Sequence, residues 1–165
     1  MFQCRGKSAR VPALLCAASL VLAGGLFTPT VSGARPVGQP ATVLIVANDP
    51  GGAIDTRARQ IASLQAHDVA VQIRGGCWSA CTMYLALPRT CVTRQARLGF
   101  HGPGSAHYGI ALAPEAFERW SRLIASHYPE PLRGWYLREG RNRIVGFYEL
   151  GGAELIRLGI PECDA

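Results

Sequence analysis

The chain has 165 residues, of which 48% are hydrophobic and 17% are charged. This length allows one domain, and the apolar content excludes an intrinsically disordered chain. The net charge of +6 comes from 17 basic and 11 acidic residues, but the arginines are scattered and form no basic helix face, which argues against a nucleic-acid-binding protein.

The N-terminal segment has the features of a secretory signal. Three basic residues precede an apolar run at residues 11–27, and small residues follow at 31–34. This order predicts a signal peptide over residues 1–34 that is removed on export to the periplasm or the cell exterior. Two prolines and a glycine predict a flexible lead-in at residues 35–40, before a single domain at 41–165.

Hydrophobic periodicity predicts strands and helices that alternate along the domain. The predicted elements are a strand at 41–47 that is buried on both faces, a helix at 54–66, a strand at 69–73, a helix at 83–87, strands at 91–93 and 97–100, helices at 114–124 and 131–138, a strand at 144–148 and a helix at 152–158. Gly75 and Gly76 predict a turn after the strand at 69–73. The order of elements predicts an α/β fold with a mainly parallel sheet.

Four cysteines remain after the predicted signal peptide, and an even number in an exported chain favours disulfides. They are Cys77, Cys81, Cys91 and Cys163. Four cysteines allow three pairings, and the sequence does not choose among them. The spacing of Cys77 and Cys81 also fits a pair of metal ligands, but no histidine pair accompanies them, so we predict no metal site and no cofactor.

Two loops follow predicted buried strands and precede helices, at the edge of a parallel sheet where ligands usually bind. The first, residues 49–52, contains two glycines that allow the backbone to approach a ligand closely. The second leads to Ser79 at the start of a helix. There, unpaired N–H groups and the positive end of the helix dipole can stabilise an oxyanion. Ser79 is therefore a candidate nucleophile, or it simply caps its helix.

His101 follows the predicted strand at 97–100 and precedes Gly102 and Pro103. We expect it at the same sheet edge, close to both loops. A serine nucleophile needs such a base within hydrogen-bond reach, which makes His101 a candidate general base. The alternative is a half-buried histidine that bonds a backbone carbonyl.

Several short motifs in this order carry a family resemblance. They are Asn48-Asp49-Pro50-Gly51-Gly52, a glycine turn leading to Ser79, Arg89, Gly99-Phe100-His101-Gly102-Pro103 and a closing segment at residues 151–160. Together they resemble the Clp-protease proteolytic subunit of the ClpP/crotonase superfamily, over about residues 42–162. The Cys-x-Ser-Ala-Cys variant is most similar to a small exported, uncharacterised periplasmic branch. The resemblance implies a spiral of β-β-α units.

The resemblance also implies roles at individual positions. Ser79 matches the nucleophile and His101 the general base. The backbone N–H groups of Gly51 or Gly52 and of Ala80 match the oxyanion hole. The implied reaction is acyl transfer to Ser79 and then hydrolysis, most naturally of a peptide bond.

The position of the third catalytic residue departs from the family pattern, as do Asp49, where the family often has serine, and Cys77 and Cys81, which replace small residues. The family has an aspartate shortly before the closing helix, and alignment on Gly159 places Phe147 there. Glu149 is the nearest carboxylate and our candidate for the third catalytic residue. Two readings therefore stay open: a serine hydrolase with an incomplete triad, or an inactive binding module for peptides or proteins that disulfides stabilise.

Other features limit the partners and the chemistry. The predicted mature chain has no lysine, which excludes the serine–lysine dyad of signal-peptide peptidases. It has no Walker-type loop, and an exported chain does not meet ATP, so no ATPase partner is implied. A crotonase-type role on acyl thioesters is the least supported, because nothing marks a nucleotide site. Relatives often assemble through the region that corresponds to residues 104–145, so a homo-oligomer is an expectation.

Overall fold

A five-stranded sheet organises the domain. The computed structural model describes residues 42–105 and 110–164, and these belong to one compact unit, Gly38–Ala165. The predicted signal peptide and lead-in lie outside the described residues, as do residues 106–109 of the region expected to self-associate. The strands are β1 (Val43–Asp49), β2 (Ala70–Trp78), β3 (Thr90–Val92), β4 (Arg97–Phe100) and β5 (Tyr148–Gly151).

The strand pairing confirms an α/β fold with a mainly parallel sheet. β2 pairs with β1 along its length, with β3 through its first half and with β4 through its second half, all in the parallel direction. β5 pairs with β4 in the antiparallel direction. β2 is therefore the central strand, and its carboxyl end lies between those of β1 and β4.

The helices lie close to their predicted positions. They are α1 (Ile54–Ala66), a 3₁₀ helix (Ser79–Ala86), α2 (Pro114–Ala125), α3 (Leu132–Arg138), a short 3₁₀ turn (Gly140–Asn142) and α4 (Gly152–Arg157). The apolar run predicted as a helix at 83–87 is the second half of the 3₁₀ helix. Almost all of that helix is buried, with Met83 and Tyr84 among the largest side chains of the core.

β1 differs from its prediction as a strand buried on both faces. It lies at the edge of the sheet, where Val43 is 42% exposed and Ile45 is 58% exposed, while Val46 packs into the core. A continuous apolar run is typical of a central strand, but β1 is covered on one face only. The prediction was wrong because composition does not reveal a strand's place in the sheet.

The predicted turn at Gly75 and Gly76 is also wrong, because β2 continues through both residues to Trp78. A β-carbon at Gly75 would lie 2.0 Å from the Ala47 carbonyl oxygen. The glycine therefore permits a close backbone approach beside a register shift in β1. This continuation carries the chain to Ser79 at the carboxyl edge of the sheet.

The last strand begins later than predicted. The apolar, β-branched residues Ile144 and Val145 are exposed, and β5 starts only at Tyr148. Pairing with β4 sets this boundary, since Tyr148 lies opposite Phe100 and Gly151 lies opposite Arg97.

The four cysteines form two disulfides, as predicted for the mature chain. Cys77 pairs with Cys81, and Cys91 pairs with Cys163 across 72 residues of sequence. The second bond ties β3 to the end of the chain. Both bonds are compatible with an oxidising, extracytoplasmic compartment. Among the described residues, no helix has the length and apolar character needed to cross a membrane.

Candidate active site

Ser79 lies at the junction between β2 and the 3₁₀ helix. Its φ angle is +55°, a left-handed value that few residues other than glycine adopt. Such backbone strain persists only when the surrounding structure holds it, and it is common at functional sites. The tight strand-to-helix turn brings the Ser79 hydroxyl to the side chain of His101.

A covalent bond closes the segment around Ser79. The Cys77–Cys81 disulfide joins residues four positions apart with Ser79 midway between them, and both cysteines are fully buried. The Thr82 hydroxyl donates to the Ser79 carbonyl oxygen at 2.7 Å and lies 2.6 Å from the Tyr128 hydroxyl. The disulfide and these hydrogen bonds together hold the strained turn.

His101 follows β4 and reaches the serine directly. Its Nε2 lies 2.7 Å from the Ser79 Oγ. The Tyr136 hydroxyl donates to the His101 carbonyl oxygen at 3.0 Å, and the Phe147 ring packs edge-to-face against the imidazole at 5.3 Å. The structure thus brings the two predicted residues into hydrogen-bond contact and fixes the ring of the histidine by packing.

Burial lowers the pKa of His101 below its usual value, and a hydrogen bond with the Gly102 backbone opposes part of this shift. Burial acts in this direction because it disfavours the charged imidazolium. At pH 7 the ring is therefore neutral and able to accept a proton, as a general base requires.

The structure does not bring Glu149 to His101. Its carboxylate accepts hydrogen bonds from Arg97 at 2.5 and 3.1 Å, and it is 45% exposed. Phe147, at the position where the resemblance would place an aspartate, packs against both His101 and Trp78. In the described part of the chain, no carboxylate bonds the imidazole, so the arrangement is a Ser–His dyad.

The glycine loop, residues 49–52, packs directly against the serine. Gly51 and Gly52 have φ angles of +102° and +123°. A β-carbon at Gly51 would lie 2.6 Å from the Ser79 β-carbon and 3.0 Å from the Ala80 amide nitrogen, so only glycine fits there. The loop therefore lies beside the amide that begins the 3₁₀ helix.

The two glycines of the loop, both candidates for the oxyanion hole, differ in the hydrogen bonding of their N–H groups. The Gly51 N–H donates to Asp49 Oδ1 at 2.8 Å, so it is not free to bind an oxyanion. The Gly52 N–H has no acceptor among residues 42–105 and 110–164. Ala80 is in the first turn of its helix, where the N–H has no intrahelical acceptor. Gly52 and Ala80, which both line the cleft beside Ser79, are therefore the candidate donors with no backbone acceptor in the described part of the chain.

A buried arginine beneath the loop was not among the predicted site residues. Arg57 on α1 is 8% exposed, and its guanidinium bonds both Asp49 oxygens at 2.9 and 2.7 Å and the Gly51 carbonyl at 3.0 Å. It also donates to the Tyr84 hydroxyl and stacks on that ring. One signal was available, because Arg57 falls within the apolar stripe of α1, between Ile54 and Ile61.

A cleft of about 600 Å³ opens beside the dyad. Ser79, His101, Gly52 and Ala80 are among the residues that line it. The rest of its lining is mostly apolar and includes Ile54, Pro103, Leu112, Trp120, Ile124 and Tyr128. Within residues 42–105 and 110–164, no group of three or more His, Cys, Asp or Glu side chains is arranged to hold a metal ion.

Comparison of the sequence with protein-family models and with curated proteins gives no match in either case. The resemblance to the Clp-protease proteolytic subunit therefore rests on the motifs, and the assignment of function rests on the geometry of the site.

Proposed function

We propose that this protein is an exported serine hydrolase, a peptidase in which Ser79 is the nucleophile and His101 the general base. The observation that carries the proposal is the 2.7 Å contact between His101 Nε2 and Ser79 Oγ. It lies beside two amides, Gly52 and Ala80, in a cleft large enough for a peptide segment. A nucleophile, a base and two donors for a developing oxyanion are the groups that acyl transfer requires.

In the acylation step, His101 Nε2 takes the hydroxyl proton of Ser79 while Oγ forms a bond to the carbonyl carbon of the substrate. The carbonyl electron pair moves to the oxygen, where the Gly52 and Ala80 amides stabilise the negative charge. The C–N bond then breaks, and the amine leaves with the proton from His101. Water next transfers a proton to His101 and attacks the ester, and Ser79 departs with that proton.

The dyad works without a carboxylate because other groups orient the imidazole. The Tyr136 hydroxyl fixes the His101 backbone, and Phe147 restricts the ring. Loss of the aspartate from a complete triad lowers turnover by about 10⁴-fold while the oxyanion hole still contributes. We therefore expect a slow hydrolase whose serine is nonetheless nucleophilic.

The cleft favours a peptide with a large apolar side chain next to the scissile bond. Leu112, Trp120 and Ile124 line it, and burial of such a side chain contributes about 1.5–3 kcal/mol to binding. Asp55 is the acidic residue of the lining, and its carboxylate is paired with Arg59. An apolar side chain is therefore better matched to this cleft than a charged one.

The proposal includes membership of the ClpP/crotonase superfamily and its spiral of β-β-α units. The parallel pairing of β1, β2 and β4, with α1 connecting the first two strands, supports this fold. The two disulfides support export to the periplasm or the cell exterior.

A panel of fluorogenic peptides that differ in the residue before the scissile bond tests the proposal. We expect hydrolysis of peptides with leucine, methionine or phenylalanine there, and no hydrolysis above background by Ser79→Ala. Equal rates for the two proteins would assign the activity to a contaminant. Equal rates for charged and apolar peptides would contradict the assignment of the apolar cleft.

A second candidate is an inactive binding module that uses the same cleft. The absence of a carboxylate at His101 within the described residues favours it. This candidate predicts that peptides raise the melting temperature of wild type and Ser79→Ala equally, with no hydrolysis by either protein.

A further inference from the structure

The Gly51–Gly52 peptide group is held from the side opposite to its N–H. Arg57 Nη2 donates to the Gly51 carbonyl oxygen at 3.0 Å, and this carbonyl belongs to the same peptide unit as the Gly52 N–H. A trans peptide is planar, and its C=O and N–H point in opposite directions. The contact with Arg57 therefore fixes the direction of the Gly52 N–H.

Without such a contact, this peptide unit would rotate easily. It joins two glycines, and glycine adopts positive and negative φ angles with similar ease. A rotation of the unit would turn the Gly52 N–H away from the cleft while the rest of the chain stayed in place. A contact that holds the Gly51–Gly52 peptide in one orientation is therefore required to keep the Gly52 N–H in place.

Arg57 can hold this peptide in place because several contacts fix the position of its own guanidinium. Asp49 binds the guanidinium with both oxygens, and Gln60 and the Tyr84 hydroxyl accept from its other nitrogen. The same Asp49 accepts the Gly51 N–H. Arg57 and Asp49 thus hold Gly51 by its carbonyl and its amide, respectively.

We propose that Arg57 is a positioning residue that, together with Asp49, locks the Gly51–Gly52 peptide so that the Gly52 N–H serves the oxyanion. The inference rests on the proposed function and extends it, since it names the group that builds half of the oxyanion hole. Arg57 lies beneath the loop and acts through the backbone.

Lysine at position 57 is the sharpest substitution. It keeps the positive charge next to Asp49, but a single ammonium cannot replace a guanidinium whose Nη1 is anchored by Gln60 and Tyr84 while its Nη2 bonds Asp49 and Gly51. The change removes the lock with little change in net charge. Arg94→Gln is a matched control, because Arg94 forms an exposed ion pair with Glu162 away from the cleft.

The first measurement is the saturation kinetics of a rhodamine-tagged fluorophosphonate on the full, oxidised chain. Displacement of a catalytic group by about 1 Å lowers rates by about 10²-fold. We expect Arg57→Lys to lower the maximal labelling rate by about this factor, with the half-saturating probe concentration changed less than threefold. Arg94→Gln should match wild type. A folded Arg57→Lys that labels at the wild-type rate would overturn the inference.

A pair of substitutions at position 49 keeps the test decisive if Arg57→Lys does not fold. Asp49→Asn retains an oxygen for the Gly51 N–H and for Arg57, whereas Asp49→Ala removes both contacts. We expect Asp49→Ala to lose at least tenfold in maximal labelling rate and Asp49→Asn to recover most of it. Equal rates for the two folded variants would count against the lock.

Amide hydrogen exchange separates failure of this inference from failure of the proposed function, because it needs no probe. In folded Arg57→Lys and Asp49→Ala, the Gly51 N–H should exchange at least tenfold faster than in wild type, as measured by NMR. If wild type does not label but exchange accelerates, Arg57 holds the loop and the protein is not a hydrolase. Unchanged Gly51 exchange in both variants would refute the positioning role.

Discussion

Ser79 lies in a segment held by a covalent bond and by charge, whereas His101 lies in one held by aromatic packing. The Cys77–Cys81 disulfide encloses the serine, and the glycine loop packed against it is fixed by the Asp49–Arg57 ion pair. On the other side, the rings of Phe100, Tyr128, Trp135, Tyr136 and Phe147 surround the histidine and the strand before it.

The two kinds of support match what each residue must do. Ser79 has a strained backbone, which persists only in a rigid environment, and the Cys77–Cys81 disulfide supplies that rigidity. His101 needs a fixed orientation and a low-dielectric surrounding that keeps it neutral, which packed rings provide. We therefore expect the labelling rate to depend on the Cys77–Cys81 disulfide through Ser79 and on pH through His101.

Among variants that keep Ser79, the largest effect is expected from His101→Gln. Glutamine retains a hydrogen bond to Ser79 but cannot take its proton at neutral pH. General base catalysis contributes about 10²–10⁴-fold, so we expect labelling by a fluorophosphonate to slow by about 10³-fold. A rate within threefold of wild type in the folded variant would remove His101 from the mechanism.

The pH dependence of labelling probes the surroundings of the same residue. Because burial lowers the pKa of His101, the rate should stay on its plateau at pH 7 and fall only below the usual histidine pKa of 6.5. The same shift makes His101 stabilise the fold above pH 6.5, and this contribution is lost as pH falls through the pKa of the folded state. Rate measurements between pH 4 and 8 on wild type check the midpoint. A midpoint above 6.5 would contradict the buried, neutral imidazole.

The two disulfides offer a reciprocal test. Loop entropy predicts a loss of about 2 kcal/mol of stability for Cys77→Ala/Cys81→Ala and about 4 kcal/mol for Cys91→Ala/Cys163→Ala. The labelling rate should show the opposite order. We expect at least a tenfold loss for Cys77→Ala/Cys81→Ala and less than a twofold change for Cys91→Ala/Cys163→Ala. Urea unfolding and labelling rates measure both. If both pairs lose activity in proportion to stability, the Cys77–Cys81 bond has no specific role at the serine.

The smallest effect is expected from Glu149→Gln. The Glu149 carboxylate binds Arg97, not His101, and a surface ion pair contributes about 0–1 kcal/mol. Labelling should therefore stay within twofold of wild type, and stability should change by less than about 1 kcal/mol. A loss of 100-fold or more would instead make Glu149 the third catalytic residue and require a rearrangement that brings it to the imidazole.

Local sequence signals identified the residues that the structure brings together at the site. Ser79 at the start of a helix and His101 after a strand were both predicted from loops that end neighbouring strands, and their contact follows from the parallel order of β2 and β4. Disulfide bonding of the four cysteines was predicted, but the choice of partners was not. It depends on distances in the folded chain that the spacing in the sequence does not give.

Other features depended on neighbours that the sequence does not reveal. The run at β1 has the composition of a central strand but lies at an edge. Glu149 was the nearest carboxylate in sequence, yet the antiparallel register of β5 places it opposite Gly99 and next to Arg97. The burial of Arg57 depends on contacts with Asp49 and Tyr84, which composition does not place beside it.

The most direct test of Ser79 as the nucleophile is the site of covalent labelling. The oxidised, purified protein is treated with a fluorophosphonate beside Ser79→Ala, and the adduct is located by mass spectrometry after digestion. We expect one adduct, on the peptide that contains Ser79, and none on the variant. A folded wild-type protein that carries no adduct at Ser79 would contradict an activated nucleophile, and the binding module would then be the better description.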